Sequence, residues 1–276
     1  MIAIGTGHRL RIFLPAVLAG MATACGGGGH GSASVSGAGG GSTTSTGSGS
    51  SSTSTTPAAP VSNAAGIWSG TLTPDDTTQP PPTGWLVIGT DGSFSLDTDV
   101  AQFSGTSQLQ GQAFTATTTA NPYTSQIAAG SSFHFDGMLA DTGVLTGTYS
   151  GGGGQGTIHF QLERAISAQA ASLSDAASTY HGEFWIKDSR QSADITVTDS
   201  GALTASAGGC AFNGTIQVAD ASHNSYHWSA RATGCATNGT AEGTGFMIEN
   251  YFLYLMGSIG GQAVWIGGAD SDAPDD

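Results

Sequence analysis

The chain has 276 residues and carries 6 Lys and Arg against 20 Asp and Glu, giving a formal net charge of −14 and a pI near 4.4. So acidic a composition excludes nucleic acid as a partner and an electrostatic hold on an anionic membrane surface, because both need clustered Lys and Arg. The carboxylates are scattered, apart from an Asp-rich tail at 271–276 with Asp270 just before it, as expected of a solvated exterior.

The N-terminus opens with a short basic start (His8, Arg9, Arg11), followed by an apolar run from Ile12 to Ala19. Met21-Ala22-Thr23-Ala24 then leads to Cys25. This is the layout of a secretory signal over 1–24, whose removal leaves Cys25 as the first residue. The apolar run is shorter than the ~20 residues that span a bilayer, and it contains Pro15. The segment resembles the lipobox of bacterial lipoproteins, in which small residues precede a Cys that becomes lipidated; Ala22 stands where that family usually has Leu. The resemblance implies acyl chains on Cys25 and attachment to a membrane, each buried CH₂ contributing about 0.8 kcal/mol. Gly26 follows the cysteine where Asp would favour retention at the inner membrane, so the same resemblance implies the outer membrane, without choosing its periplasmic or cell-surface face. Once Arg9 and Arg11 leave with the signal, four cations face twenty carboxylates, a net of about −16.

Residues 25–61 are Cys25 followed by Gly, Ser, Thr and Ala with almost nothing to bury, so they are expected to stay disordered as a tether. A chain of that composition reaches roughly 30 to 40 Å on average and ~120 Å when stretched. Beyond it, two stretches, 62–164 and 178–270, repeat each other. Ser62 to Gly70 lines up with Ser174 to Gly182, Thr90 to Phe94 with Thr198 to Ala202, Phe103 to Thr106 with Phe212 to Thr215, and Gln155 to Ile158 with Gln262 to Trp265. Matches in one order at a near-constant spacing indicate an internal duplication. The Ala/Ser-rich 165–177 between the halves is the expected linker, with the composition of a short helix.

Each half has the pattern of seven or eight short strands joined by tight turns. Trp85-Leu86-Val87-Ile88 and Phe94-Ser95-Leu96 flank Asp91-Gly92, a hairpin signal, and Val144 to Tyr149 follows another turn at Asp141-Thr142-Gly143. In the second half, stretches at 194–198, 212–218 and 226–231 alternate with period two. The fold class expected is all-β: two tandem antiparallel up-and-down barrels, since closing a meander removes its exposed edges. Cys210 and Cys235 form an even pair in an exported chain and are expected to make one disulfide. It would clamp the open end of the hairpin formed by 212–218 and 226–232. Gly66-Ile67-Trp68 resembles the Gly-x-Trp that opens the first strand of lipocalins and avidin-like barrels, where the Trp packs across the closed end; the second half has Ser178 and Tyr180 at those places. The whole layout is also similar to tethered surface lipoproteins of Gram-negative bacteria.

No constellation for catalysis stands out. His181 and Glu183 share a strand face, while His223 and His227 would lie roughly 13 Å apart in a strand, too far for one metal. His134 and His159 lack matching acids nearby. Gly-x-Ser-x-Gly with plausible flanks is missing, Gly151 to Gly154 lacks the Lys and helix of a phosphate loop, and Asp97 with Asp99 reads as a solvated loop pair. No catalytic residue, metal ligand or cofactor is therefore assigned, and the chain is not expected to be an enzyme. The reading that remains is a membrane-anchored, non-enzymatic binding module whose partner is a protein or glycan. The alternative is a lipocalin-like carrier with a hydrophobic ligand in a lumen lined by Trp228, Tyr251, Tyr254 and Trp265.

Overall fold

The computed structural model describes residues 63–271 apart from 77, 79, 153 and 188; the signal segment, Cys25, the tether and the acidic tail beyond 271 lie outside the described residues. Sixteen strands follow in chain order. The first eight are β1 (Gly66–Pro74), β2 (Thr83–Ile88), β3 (Ser93–Thr98), β4 (Ala101–Gln110), β5 (Ala113–Pro122), β6 (Ser132–Ala140), β7 (Val144–Gly151) and β8 (Gly154–Leu162). The second eight are β9 (Ser178–Ile186), β10 (Ser189–Val197), β11 (Ala202–Ala207), β12 (Cys210–Asp220), β13 (Ser225–Thr233), β14 (Gly239–Ile248), β15 (Phe252–Ile259) and β16 (Gln262–Asp270). Each set is a closed antiparallel meander: β1 pairs with β8 in the first, and β9 with β16 in the second. The two-barrel expectation holds, with eight strands in each.

Period-two alternation sets which side chains fill each barrel. Along β5, Phe114, Ala116, Thr118 and Ala120 are buried, while Thr115, Thr117 and Thr119 face outward. Inside the first barrel the aromatic rings meet across the lumen: Phe94 and Phe135 lie 5.2 Å apart between centroids, and Phe103 and Phe133 5.0 Å. The second lumen is packed by Phe184, Phe212, Trp228, Leu253, Ile266 and their neighbours. An apolar inside with Thr, Ser, Gln and His outside is the reverse of a membrane-spanning barrel, whose outward face carries the apolar band. No helix among the described residues is long and apolar enough to cross a membrane.

The duplication is visible in the hydrogen bonds. The Trp68 indole N–H donates to the carbonyl of Ala64 at 3.1 Å, and the Tyr180 hydroxyl donates to the carbonyl of Ala176 at 2.8 Å. Both rings are fully buried and each reaches back four residues, closing one end of its barrel. The register also shifts one part of the sequence alignment by a single residue. Gly92 and Gly201 occupy the same turn position, each with positive φ and each carbonyl accepting a hydrogen bond from the second strand after it, from Ser107 N–H of β4 and Ile216 N–H of β12. Aligning Asp91 with Asp199 therefore misplaces one side chain, and in a strand a one-residue slip exchanges the faces.

The linker is not one helix. It makes two single turns, α1 (Arg164–Ser167) and α2 (Leu173–Ala176), the second capped by Ser172 accepting from the Asp175 N–H at 3.1 Å. Ser167 Oγ accepts from the Ile67 N–H at 2.8 Å, and the Asn224 side-chain amide donates to the carbonyl of Ile166, so the linker is stitched to both barrels. Cys210 and Cys235 are bonded, with their Cα atoms 4.3 Å apart, across the open end of the β12–β13 hairpin. Replacing both by Ser is expected to cost about 2 to 3 kcal/mol by releasing that loop in the unfolded chain. A urea midpoint unchanged by the double substitution would remove the stabilising role.

The barrels pack side against side. Ile67, Val87, Ile166, Phe246 and Met256 form a buried apolar cluster with Trp85, Ile248 and Tyr254 against it. Tyr123, just past β5, stacks on Trp185 of β9 with centroids 4.3 Å apart and planes 14° from parallel.

Candidate functional site

The four aromatics expected to line a ligand lumen are dispersed by the fold. Only Trp228 points into a barrel, where its indole N–H donates to the carbonyl of Met256 at 3.0 Å. It is accommodated because β15 has Gly257 beside it: a Cβ there would come within 2.6 Å of the indole. Tyr251 is exposed in the β14–β15 turn. Tyr254 and Trp265 face outward into the seam between the barrels, 5.5 Å apart between ring centroids, and Tyr254 stacks on Phe246 at 5.0 Å.

A groove of about 400 Å³ lies on the outside of the second barrel, lined by Thr215, Gln217, His227, Trp228, Ser229, Glu242, Gly243 and Thr244. Its construction follows from the strand register. Thr215 pairs with Ser229 and Ser229 with Glu242; Gln217 pairs with His227 and His227 with Thr244. Six outward polar side chains on three neighbouring strands thus form two rows of three, with cross-strand neighbours about 5 Å apart. The set mixes hydroxyl, amide, imidazole and carboxylate and includes neither Lys nor Arg. It can both donate and accept hydrogen bonds, suits an uncharged hydroxyl-rich or peptide-like partner, and repels an anion. Thr244 Oγ1 is buried there with no hydrogen-bond partner. Sequence reasoning picked out His227 but not Gln217, Glu242 or Thr244, whose adjacency depends on the pairing of three strands.

A strongly perturbed carboxyl lies elsewhere. Asp97 lies on the outward face of β3, where it pairs with Trp85 on β2 and Gln102 on β4. The expectation of a solvated Asp97–Asp99 loop pair is overturned: Asp97 is buried, because the second barrel covers this face of the first. Tyr123 donates to one carboxylate oxygen at 2.7 Å, and Tyr254, from the second barrel, to the other at 2.5 Å. Burial pushes the Asp97 pKa up to about 7 and the nearby Asp99 adds to the rise, while the two hydroxyl donors partly oppose it. A second polar tie spans the barrels at the surface, where Thr90 Oγ1 donates to Asp220 at 3.1 Å. Asp220 also accepts from the Ser222 hydroxyl and N–H, which with His223 hold its pKa down at about 2.

Three histidines pair with single carboxylates: His181 with Asp194 at 2.8 Å, His134 with Asp136 at 3.2 Å, and His223 with Asp220 at 2.9 Å. No cluster of three or more metal-ligating side chains occurs among the described residues. No protein-family model matches the chain, and no curated protein matches it.

Proposed function

We propose that this chain is a membrane-anchored envelope lipoprotein, held by lipid on Cys25 and the 25–61 tether, that works as a non-enzymatic binding module at the outer membrane. The partner, a protein or a glycan, meets the outside of the barrels, and the polar groove on β12, β13 and β14 is the contact face. One observation carries the choice of an outer surface: both lumens are occupied by the protein's own side chains, with 5.0 to 5.2 Å between aromatic centroids in the first. A small hydrophobic ligand would have to displace that packing, so carriage in a lumen is the less supported reading.

Three experiments test the proposal. Palmitate labelling in cells is expected for the parent and lost in Cys25→Ala; label that survives the substitution sinks the lipid anchor. Panels of envelope glycans and peptidoglycan fragments, probed with the purified chain, are expected to yield a partner. Glu242→Ala together with Gln217→Ala should weaken its capture by about tenfold, the scale of one lost polar contact of about 1.4 kcal/mol, with little change in melting. Unchanged capture would move the contact face off the groove. Native mass spectrometry that finds a lipid bound in stoichiometric amount would favour the carrier instead.

A further inference from the structure

The seam between the barrels is built on an apolar cluster, and among the described residues Asp97 is the one buried carboxyl. Trp85, Val87, Phe246 and Met256 belong to the buried apolar cluster of the seam, Trp85 is the cross-strand partner of Asp97, and Asp97 itself is only 5% exposed. Polar neighbours reach it from each side: Gln102 on β4, Tyr123 beyond β5 and Tyr254 on β15, with Asp99 in the β3–β4 turn as the charged group acting on it. Two of the three titratable neighbours are tyrosines that stay protonated well past neutrality, because burial raises them and so does the adjacent carboxylate. Asp99 has the same sign as an ionised Asp97. The seam thus encloses one carboxyl that is held from both barrels by neutral donors, with no Lys, Arg or His of the described residues acting on it to offset a charge.

We propose that Asp97, clasped by Tyr123 and Tyr254, is a proton-operated latch between the two barrels: the seam is tightest with the carboxyl protonated and loosens as pH rises toward neutrality.

The sign follows from linkage. In the closed seam the carboxyl keeps its proton up to about pH 7. In an opened seam it is hydrated and gives the proton up near its ordinary value of 3.8. Opening therefore releases a proton throughout that interval, becomes easier by up to tenfold per pH unit across it, and levels off above it. The linker provides a readout specific to the seam. Ile166 belongs to the seam's apolar cluster and Ser167 is bonded to Ile67, so a protease reaches 164–177 when the barrels part.

The test is native-state proteolysis of the whole chain in detergent at several pH values from about 4 to 8, compared at each pH with Asp97→Asn. Cleavage in the linker, which gives two barrel-sized fragments, is scored as the ratio of parent to variant. The ratio is expected to climb by up to tenfold per pH unit and to flatten near pH 7. A ratio that stays constant with pH overturns the latch. Tyr254→Phe is the second variant, and it decides alone if Asp97→Asn does not fold. It removes one donor to the carboxylate but keeps the carboxyl, so the levelling point should move upward by up to about one pH unit. A levelling point that stays in place overturns the proposal.

Discussion

A Gly182→Val chain is expected to lose its second barrel. Gly182 on β9 faces Gly268 on β16, and the two backbones approach so closely that a Cβ on Gly182 would sit 1.9 Å from the Gly267 carbonyl oxygen and 2.4 Å from the Gly268 Cα. Both obstacles are backbone, so no side chain can swing away to make room. Gly70 holds the equivalent place on β1, where a Cβ would meet the His159 carbonyl oxygen at 2.1 Å. Glycine at these positions lets a strand bend sharply enough for eight strands to close. Relief requires separating β9 from β16, which opens the barrel, so the cost should exceed the ~1 to 3 kcal/mol of ordinary core overpacking. Gly154→Ala is the control, because a Cβ there finds its nearest atom 3.9 Å away; it should change stability by less than about 0.5 kcal/mol. Thermal melting followed by far-UV circular dichroism reads both. A Gly182→Val protein that melts with the parent would mean that the close approach is not needed for closure.

The second large effect belongs to Trp68→Ala, expected to cost about 3 to 5 kcal/mol. The substitution removes a fully buried indole from the end of the first barrel and leaves the Ala64 carbonyl without its donor. Tyr180→Phe probes the equivalent place in the second barrel more gently. It keeps the ring and removes only the hydroxyl that serves Ala176, a loss of about 1 kcal/mol. Urea unfolding should therefore rank Trp68→Ala well below Tyr180→Phe. Equal midpoints would argue that neither ring closes its barrel. The comparison also tests the duplication, because the two side chains share a position and a hydrogen bond while differing in chemistry.

Much of the architecture is legible in the chain because strand and turn signals are local. Asp91-Gly92 announces a hairpin, and the turn forms with Asp91 accepting from the Ser93 N–H at 2.9 Å. Gly66-Ile67-Trp68 marks the first strand, and Cys210 with Cys235 brackets a hairpin that the disulfide does close. Some strands escape a sequence reading, β5 and β11 among them. β5 is AFTATTTANP and β11 is ALTASA, and in both the buried face relies on Ala, with one larger apolar residue, Phe114 or Leu203. Their hydrophobic alternation is weak because the neighbouring strands supply the bulk: Phe94, Phe103 and Phe135 fill the space that β5 leaves. The linker misleads in the opposite way. Its Ala/Ser composition favours helix, but it is tied down at Ser167 and Ser172 into two separate turns.

What the sequence by itself determined is the set of properties that depend on near neighbours along the chain. These are the all-β class, the two-fold duplication, the period-two division of each strand into an inner and an outer face, and the disulfide hairpin. Only the tertiary structure decided what an outward residue meets. Tyr254, Trp265 and Asp97 alternate outward, and in an isolated barrel all three would be wet. Packing the two barrels side by side turns that face into an interior, stacks Tyr123 on Trp185, and encloses a carboxyl between two hydroxyls. The polar groove is non-local in the same way, since Gln217, His227 and Thr244 come from three strands and meet through register alone. The physical reason is common to both: alternation along a strand tells which side chains share a face, while burial, and the pKa that follows from it, depends on what packs against that face.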